Sequence, residues 1–173
     1  MEDLYHVLKM AYADVKVISR QSGMYLCSDK NDREHSILYV NNEVSPRGID
    51  FLSMSLGKSW AGLLYKDRTL DIIDKQTGSI VHTFTNVSSL SKQNIYRDKY
   101  STLTIRYLGR GQDLFIIDNR KARVVAIYTD IEGISVDTRS RYELVVKLHD
   151  ENNKERHVGI TYNMKGVLLN DEA

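Results

Sequence analysis

Two short apolar runs separated by a polar turn form the most hydrophobic stretch of the chain, residues 113–129. Leu114–Ile117 and Val124–Tyr128 are rich in β-branched and aromatic residues and are too short for a buried helix, so they predict the two strands of a hairpin. Asp118 predicts a turn that its own side chain begins. Because neither run alternates apolar with polar residues, we expect the hairpin to be covered on both faces and central in its sheet.

The same pattern occurs 44 residues earlier, where residues 68–87 align without a gap on residues 112–131. The identical pairs are Leu70/Leu114, Ile72/Ile116, Ile73/Ile117, Asp74/Asp118, Val81/Val125 and Thr85/Thr129. The sequence pattern L-x-I-x-D-x-x-x-G in the first copy resembles the middle strands of a WD-type repeat. This resemblance implies a propeller blade. Neither copy has the Trp-Asp or Gly-His pair of that repeat, so two hairpins with the same turn chemistry are the alternative. Asp71 and Thr83 put polar groups on one face, which predicts that the earlier hairpin lies nearer to solvent.

The N-terminal residues have helical periodicity. The apolar positions at steps of four and three are Leu4, Leu8, Ala11, Val15 and Ile18. They form one stripe on a helix that we place within residues 1–18 and expect to pack on the sheet. From Val15 onward the alternation also fits a short hairpin with Met24–Cys27, so the end of the helix is open.

The last predicted hairpin has a register that the sequence specifies. Pairing His149 with His157 puts Leu148 opposite Val158, Val146 opposite Ile160 and Leu144 opposite Tyr162, with residues 151–155 as the loop. All six apolar residues then share one face, as a half-buried antiparallel pair requires.

The whole pattern predicts one amphipathic helix and eight to eleven strands in successive hairpins. We therefore expect an α+β, mainly β fold whose antiparallel hairpins form a sandwich or a curved barrel-like sheet; a partial propeller is the third option. The chain has one proline and no Gly/Ser-rich tract. Residues 1–173 are accordingly expected to form a single domain, with the helix in 1–18 and the β body in 19–173.

Composition excludes several classes of protein. No apolar run is long enough to span a membrane, and the N-terminus lacks the apolar core of a signal peptide. The only cysteine, Cys27, excludes an internal disulfide and a cysteine-based zinc site. We expect a cytoplasmic protein without a cofactor.

The basic middle third is the one feature of charge that predicts a partner. Residues 92–141 contain ten Lys or Arg against six Asp or Glu, whereas the whole chain has a net charge of only +1. The candidate contact residues are Arg106, Arg110, Arg120, Lys121, Arg123, Tyr96 and Tyr100. Arginine and tyrosine dominate the energetics of protein interfaces, and on a β surface the same residues hold phosphates and stack bases. Arg110 and the cations at the hairpin tip lie at opposite ends of the predicted strand, so one continuous patch does not follow.

A metal site is the remaining candidate. In the predicted register His149 faces His157, with Glu151 and Glu155 in the intervening loop, and two imidazoles with a carboxylate suit zinc. The alternative to a metal site is a solvated loop whose charged residues protect the end of the hairpin. Gly57-Lys58-Ser59 lacks the first glycine of a phosphate-binding loop, and no nucleophile or zinc-hydrolase motif occurs.

These observations favour a non-catalytic interaction module that binds another protein through its β surface and hairpin tips. The first alternative is binding of RNA or single-stranded DNA through the basic region 92–123. The second is a small metal-dependent hydrolase or nuclease, which makes enzymatic activity the less favoured outcome.

Overall fold

A computed structural model describes residues 4–29, 32–49 and 51–169. One helix, α1 (Leu4–Ala11), precedes sixteen strands within these ranges. The first eight are β1 (Asp14–Ser19), β2 (Met24–Asp29), β3 (Asp32–Val40), β4 (Glu43–Ile49), β5 (Phe51–Leu56), β6 (Trp60–Tyr65), β7 (Leu70–Asp74) and β8 (Ile80–Phe84). The second eight are β9 (Val87–Ile95), β10 (Tyr100–Tyr107), β11 (Gln112–Asp118), β12 (Arg123–Ile131), β13 (Gly133–Val136), β14 (Leu144–His149), β15 (Glu155–Ile160) and β16 (Gly166–Leu168). The prediction of eight to eleven strands was too low.

The strands form four antiparallel sheets of four strands each. In every sheet the strands are hydrogen-bonded in chain order: β1 to β4, β5 to β8, β9 to β12 and β13 to β16, called here the first to the fourth sheet. A four-stranded antiparallel sheet is the unit of a propeller blade. The mainly β fold with an N-terminal helix is therefore confirmed.

The chain divides into two compact units, Met1–Asn86 and Val87–Ala173. Each unit contains two of the sheets, and in each unit the two sheets share a core. In unit 1 the core residues come from β1 to β3 on one side and from β6 and β7 on the other. In unit 2 they come from β9 to β12 and from β14 and β15. That the whole chain folds as a single domain stays a prediction.

The helix packs on the outer face of the first sheet, but it is shorter than the sequence predicted. Leu8 is buried with Val15, Tyr25 and Cys27 in one cluster. α1 ends at Ala11, and Val15 and Ile18 lie on β1, which pairs with β2. The competing hairpin pattern from Val15 was thus the correct one.

The two aligned hairpins occupy equivalent places. β7 and β11 are the third strands of the second and third sheets. Both copies have a register shift at the same point, between Ile72 and Ile73 and between Ile116 and Ile117. The equivalent turn residues Gly78 and Ala122 both have positive φ, 75° and 51°. The alignment therefore reflects a repeated structure.

The aspartates that end these strands begin the turns, as predicted. Asp74 Oδ1 accepts a 2.8 Å hydrogen bond from the amide of Gln76, and Asp118 Oδ1 accepts one of 2.8 Å from the amide of Arg120. The expected exposure of the earlier hairpin is wrong for Asp71, although Thr83 is exposed. Asp71 on β7 is 0% exposed, and the hydroxyl of Thr83 donates a 2.8 Å hydrogen bond to it. A hydrogen bond compensates part of the cost of burying a polar group.

Only one of the two strands of the predicted central hairpin is an inner strand of its sheet. Leu114 and Ile116 on one face of β11, and Phe115 and Ile117 on the other, are all buried. β11 is an inner strand, as the continuous apolar run predicted. β12 is an edge strand, and its Ile127 is 51% exposed. An apolar run alone does not distinguish an inner strand from an edge strand.

The predicted register of β14 and β15 is wrong by two residues. His149 pairs with Glu155, and Lys147 pairs with His157. The cause is a tighter turn, in which Asp150 Oδ1 accepts hydrogen bonds from the amides of Asn152 and Lys154. A shift of two residues leaves the faces unchanged, so Leu144, Val146 and Ile160 are still buried.

Candidate interaction surface

Four of the strand connections in unit 2 lie at the same end of its two sheets. In the third sheet, Tyr100 pairs with both Ile95 and Asp118, which brings the β9–β10 and β11–β12 turns together. In the fourth sheet, Leu144 pairs with both Val136 and Ile160, which brings the β13–β14 loop beside the β15–β16 turn. We call these connections, residues 96–99, 118–123, 137–143 and 161–165, the basic end.

The β9–β10 turn has an unusual backbone. Three consecutive residues other than glycine, Tyr96, Arg97 and Asp98, have φ of 52°, 55° and 62°. Each L-residue in this left-handed conformation costs about 1–2 kcal/mol. Such residues persist where the surroundings determine the conformation, and the contacts around this turn supply that constraint.

Asn119 joins the two turns of the third sheet. Its side chain is 3% exposed. Its Nδ2 donates a 2.8 Å hydrogen bond to the carbonyl of Asp98, and its backbone amide donates one of 3.0 Å to the carbonyl of Lys99. Its Oδ1 accepts a 2.8 Å hydrogen bond from the buried hydroxyl of Ser101. The tip of the central hairpin is therefore fixed to the β9–β10 turn.

Tyr96 joins the same turn to the fourth sheet. Its backbone amide donates a 2.5 Å hydrogen bond to Glu143 Oε2, and its hydroxyl donates to the carbonyl of Ile160. Its ring meets the ring of Tyr162 edge to face, with centroids 5.6 Å apart. Burial raises the pKa of the Tyr96 hydroxyl, which keeps it a donor. Asn119 and Tyr96 therefore link the β9–β10 turn to the other three connections of the basic end. The β13–β14 loop is linked at its end, through Glu143.

The cations of the basic end outnumber its carboxylates by eight to four. The cations are Arg97, Lys99, Arg120, Lys121, Arg123, Arg139, Arg141 and Lys165. Seven of them are exposed and Lys99 is half-buried. Within the part of the chain that the structure describes, none of the eight forms an ion pair. Their positive charge is therefore available to a partner.

Three of the four carboxylates accept hydrogen bonds from backbone amides instead. Asp118 accepts from the amide of Arg120, and Asp137 accepts a 3.0 Å bond from the amide of Arg139. Glu143 accepts from Tyr96, as described above. These carboxylates stabilise the backbone of the loops while the adjacent cationic side chains point to solvent.

The aromatic residues of this end differ from those that the sequence suggested. Tyr100 is 7% exposed and belongs to the core of unit 2, so it offers no contact surface. Tyr162, which is 52% exposed, is more exposed than the partly buried Tyr96 and Tyr142. The ammonium group of Lys99 lies 4.2 Å from the centroid of the Tyr162 ring and 5.1 Å from that of Tyr100. This cation–π geometry orders the Lys99 side chain.

Arg106 near the end of β10 and Arg110 in the β10–β11 turn lie toward the other end of the third sheet, as the sequence predicted for Arg110. Arg110 Nη2 forms a 3.1 Å ion pair with Asp113, and Arg110 Cζ lies 4.1 Å from the centroid of the Tyr107 ring. Burial and the neighbouring carboxylate of Asp113 raise the pKa of Tyr107 to about 12. These contacts show Arg110 in a local structural cluster, away from Arg120, Lys121 and Arg123.

The histidines proposed as metal ligands contact two different glutamates, and Lys147 lies between these glutamates, 3.7 Å from Glu132 and 2.7 Å from Glu155. His149 Nδ1 is 2.6 Å from Glu132 Oε1, and His157 Nε2 is 3.0 Å from Glu155 Oε1. Glu151 lies in the exposed turn between the strands. No group of three His, Cys, Asp or Glu side chains able to hold a metal occurs among residues 4–29, 32–49 and 51–169. The correct register explains the separation, because it places Lys147 rather than His149 opposite His157.

Two further predictions concern residues outside this end. Cys27 is a free thiol that is 0% exposed, and burial with the charge of Asp14 raises its pKa to about 11, which argues against a nucleophile. In the described ranges no helix combines the length and apolarity of a membrane span. Cytoplasmic residence stays a prediction.

Comparison with known proteins finds similar solved structures only. No protein-family model and no curated protein matches the sequence. The β-propeller domain of Cps50 (Swd1) from Myceliophteria thermophila is 14% identical, with 69% of this chain and 38% of that chain covered and a TM-score of 0.37. The complex of KlAtg21 with the coiled coil of AgAtg16 is 9% identical, with 86% of this chain and 53% of that chain covered and a TM-score of 0.43. BamB from Moraxella catarrhalis is 12% identical, with 88% of this chain and 56% of that chain covered and a TM-score of 0.36. The chain thus spans about half or less of the length of the structures it resembles.

Proposed function

We propose that this chain is a non-catalytic protein-interaction module whose contact surface is the tip of the central hairpin with the adjoining β9–β10 turn. The observation that carries the proposal is the connection between these turns through Asn119. It holds Arg120, Lys121 and Arg123 beside Arg97 and Lys99 on a fixed backbone. Since none of these five cations has an ion pair among the described residues, they are a preorganised positive surface.

A surface of this kind suits a protein partner with acidic side chains. Opposite charges steer two proteins together and select against partners of the wrong charge. A rigid backbone lowers the cost of ordering the loops on binding. The strained turn at residues 96–98 is consistent with this function, because strained backbone is concentrated at ligand-contacting sites.

Binding of RNA or single-stranded DNA is supported less well by the same geometry. Single strands are held by aromatic rings on which bases stack, together with a positive groove. Tyr100 is buried in the core, and the hydroxyl and the ring of Tyr96 already have partners, which leaves Tyr162 as the ring with most exposed surface. A hydrolase using His149 and His157 is also unsupported, because each imidazole is paired with its own glutamate.

The test is capture of partners by the wild-type protein and by two triple variants. The tip variant carries Arg120→Glu, Lys121→Glu and Arg123→Glu. The control carries Lys92→Glu, Arg106→Glu and Lys154→Glu, which change the charge equally at sites outside the basic end. We expect a protein that the wild type and the control capture and the tip variant loses, with all three melting temperatures alike. Equal capture by the tip variant would overturn the proposal.

A further inference from the structure

The fourth sheet extends the positive surface beyond the hairpin tip. Arg139 and Arg141 lie in the β13–β14 loop, and Lys165 ends the β15–β16 turn. Both connections adjoin the β9–β10 turn, because Tyr96 contacts Glu143 at the end of the loop and Tyr162 in the turn. Arg97 and Lys99 therefore lie between the cations of the third sheet and those of the fourth.

The dimensions of this surface match an extended peptide. β12 is two strands from β10, which is about 10 Å, and packed sheets are about another 10 Å apart. An extended chain advances about 3.3 Å per residue. A segment of roughly six to eight residues would therefore pass from Arg120 and Lys121 over Arg97 and Lys99 to Arg139 and Arg141.

The local chemistry favours carboxylates over phosphates as the ligand. Anions such as phosphate are commonly cradled by free backbone amides at turns. At this end the amides of Tyr96, Arg120 and Arg139 donate to the protein's own carboxylates. The cationic side chains and the exposed ring of Tyr162 are available to a ligand. These suit acidic side chains with an apolar neighbour.

We infer that the basic end binds an acidic, extended segment of a partner protein that crosses from the third sheet to the fourth. This inference rests on the proposed function and names the chemistry of the partner. It assigns two contributions to binding: Arg120, Lys121 and Arg123 contact one half of the segment, and Arg139, Arg141 and Lys165 contact the other half.

The test uses a labelled peptide of about ten residues, mostly Glu with one central Phe, and three triple variants of the full chain. The tip variant and the control variant are those described above. The fourth-sheet variant carries Arg139→Glu, Arg141→Glu and Lys165→Glu. We expect the tip and fourth-sheet variants each to lose affinity by at least about tenfold, since reversal turns attraction into repulsion. The control should change it by less than about threefold.

A shorter peptide and an oligonucleotide complete the design. A peptide of about four Glu residues should lose affinity in only one of the two variants, because it cannot contact both sheets. No binding of the longer peptide at low salt, or equal loss in all three variants, would overturn the inference. Tighter binding of oligo(dT) of equal charge would also overturn it, in favour of a nucleic acid. If the tip variant still lost its captured protein, the proposed function would stand and only the acidic segment would fail.

Discussion

The side-chain amide of Asn119 donates a 2.8 Å hydrogen bond to the main-chain carbonyl of Asp98, and through it the two turns of the third sheet form one rigid unit. Asp98 is the last of three consecutive residues in the left-handed conformation. Asn119 thus stabilises a turn that costs free energy to form, and it does so from the connection that carries Arg120 and Lys121.

Replacement of Asn119 by Ala should therefore destabilise unit 2. The variant leaves the Asp98 carbonyl without its side-chain donor, which costs about 1–3 kcal/mol of unfolding free energy, whereas the Ser101 hydroxyl keeps Asn94 Oδ1 as an acceptor at 2.9 Å. Urea unfolding measures the loss. The exposed Asn152→Ala is the matched control and should stay within about 0.5 kcal/mol of the wild type. Equal stability of the two variants would mean that Asn119 does not hold the turns.

Substitutions of Glu143 distinguish its role as a hydrogen-bond acceptor for Tyr96 from the effect of its negative charge on the peptide. Glu143→Ala removes the acceptor for the Tyr96 amide and should cost about 1–2 kcal/mol, whereas Glu143→Gln keeps an acceptor oxygen and should cost less. Glu143→Ala should also weaken binding of the acidic peptide, because the turn carrying Arg97 and Lys99 loosens. If Glu143→Ala instead bound the peptide more tightly at unchanged stability, Glu143 would be a repelling charge only.

Substitutions at the equivalent turn positions Gly78 and Ala122 should differ in their effect on stability. Gly78→Ala is expected to destabilise unit 1 by about 1–2 kcal/mol, because its φ is 75° and a Cβ there would lie 2.8 Å from Val40 Cγ1. Ala122→Gly removes the same kind of strain but adds freedom to the unfolded chain, so its net change should be small. Urea unfolding of both variants checks this. A neutral Gly78→Ala would contradict the strain and the close approach of Val40 at this turn.

The pair of Lys147 and Glu155 predicts loss of stability in acid. Lys147 Nζ is 2.7 Å from Glu155 Oε1, and this hydrogen bond, with that of His157, lowers the pKa of Glu155 from 4.5 to about 2. A carboxyl whose pKa is lower in the folded state stabilises the protein above its unfolded pKa. This contribution should disappear as the pH falls from about 4.5 to about 2.

Unfolding in urea at a series of pH values measures this effect. Glu155→Gln should show a shallower decline below pH 4.5 than the wild type, whereas Glu151→Gln, an exposed carboxyl in the neighbouring turn, should decline as the wild type does. Identical slopes for the wild type and Glu155→Gln would show that the ion pair contributes nothing in solution.

Cys27 should be unreactive in the folded protein. Its side chain is 0% exposed, and its pKa of about 11 leaves almost no thiolate at pH 8. A thiol reagent should modify it slowly in buffer and rapidly in urea. Fast modification of the native protein would contradict the packing of α1 against the first sheet.

Local sequence patterns predicted where strands and turns occur in this fold. They predicted less well which residues are buried and how the strands pair. The apolar run of β11 and the turn chemistry of Asp74 and Asp118 depend on neighbours in sequence, and both were correct. The burial of Asp71 was not predictable from the alternation, because its compensation comes from Thr83 on the adjacent strand. The register of β14 and β15 failed because two registers bury the same face and only the turn at Asp150 selects one.

That Arg120, Lys121 and Arg123 contact a partner stays a prediction. The structure brings the turn that carries these cations beside the β9–β10 turn, and Arg110 lies apart from both. Tyr162, Arg139 and Lys165 were missed because they are distant in sequence from the basic region. A division into four-stranded sheets was the missing information, since in such a sheet the first and third connections lie at the same end.

The most direct test of the interaction surface is hydrogen exchange of the whole chain with and without the acidic peptide. Bound peptide should slow exchange in segments covering residues 96–99, 118–123, 137–143 and 161–165, because it stabilises the connections it contacts. The turns at the opposite end of unit 2, residues 108–111 and 150–154, should exchange unchanged. Protection confined to that opposite end, or absent from the basic end at saturating peptide, would contradict the assignment of the interaction surface.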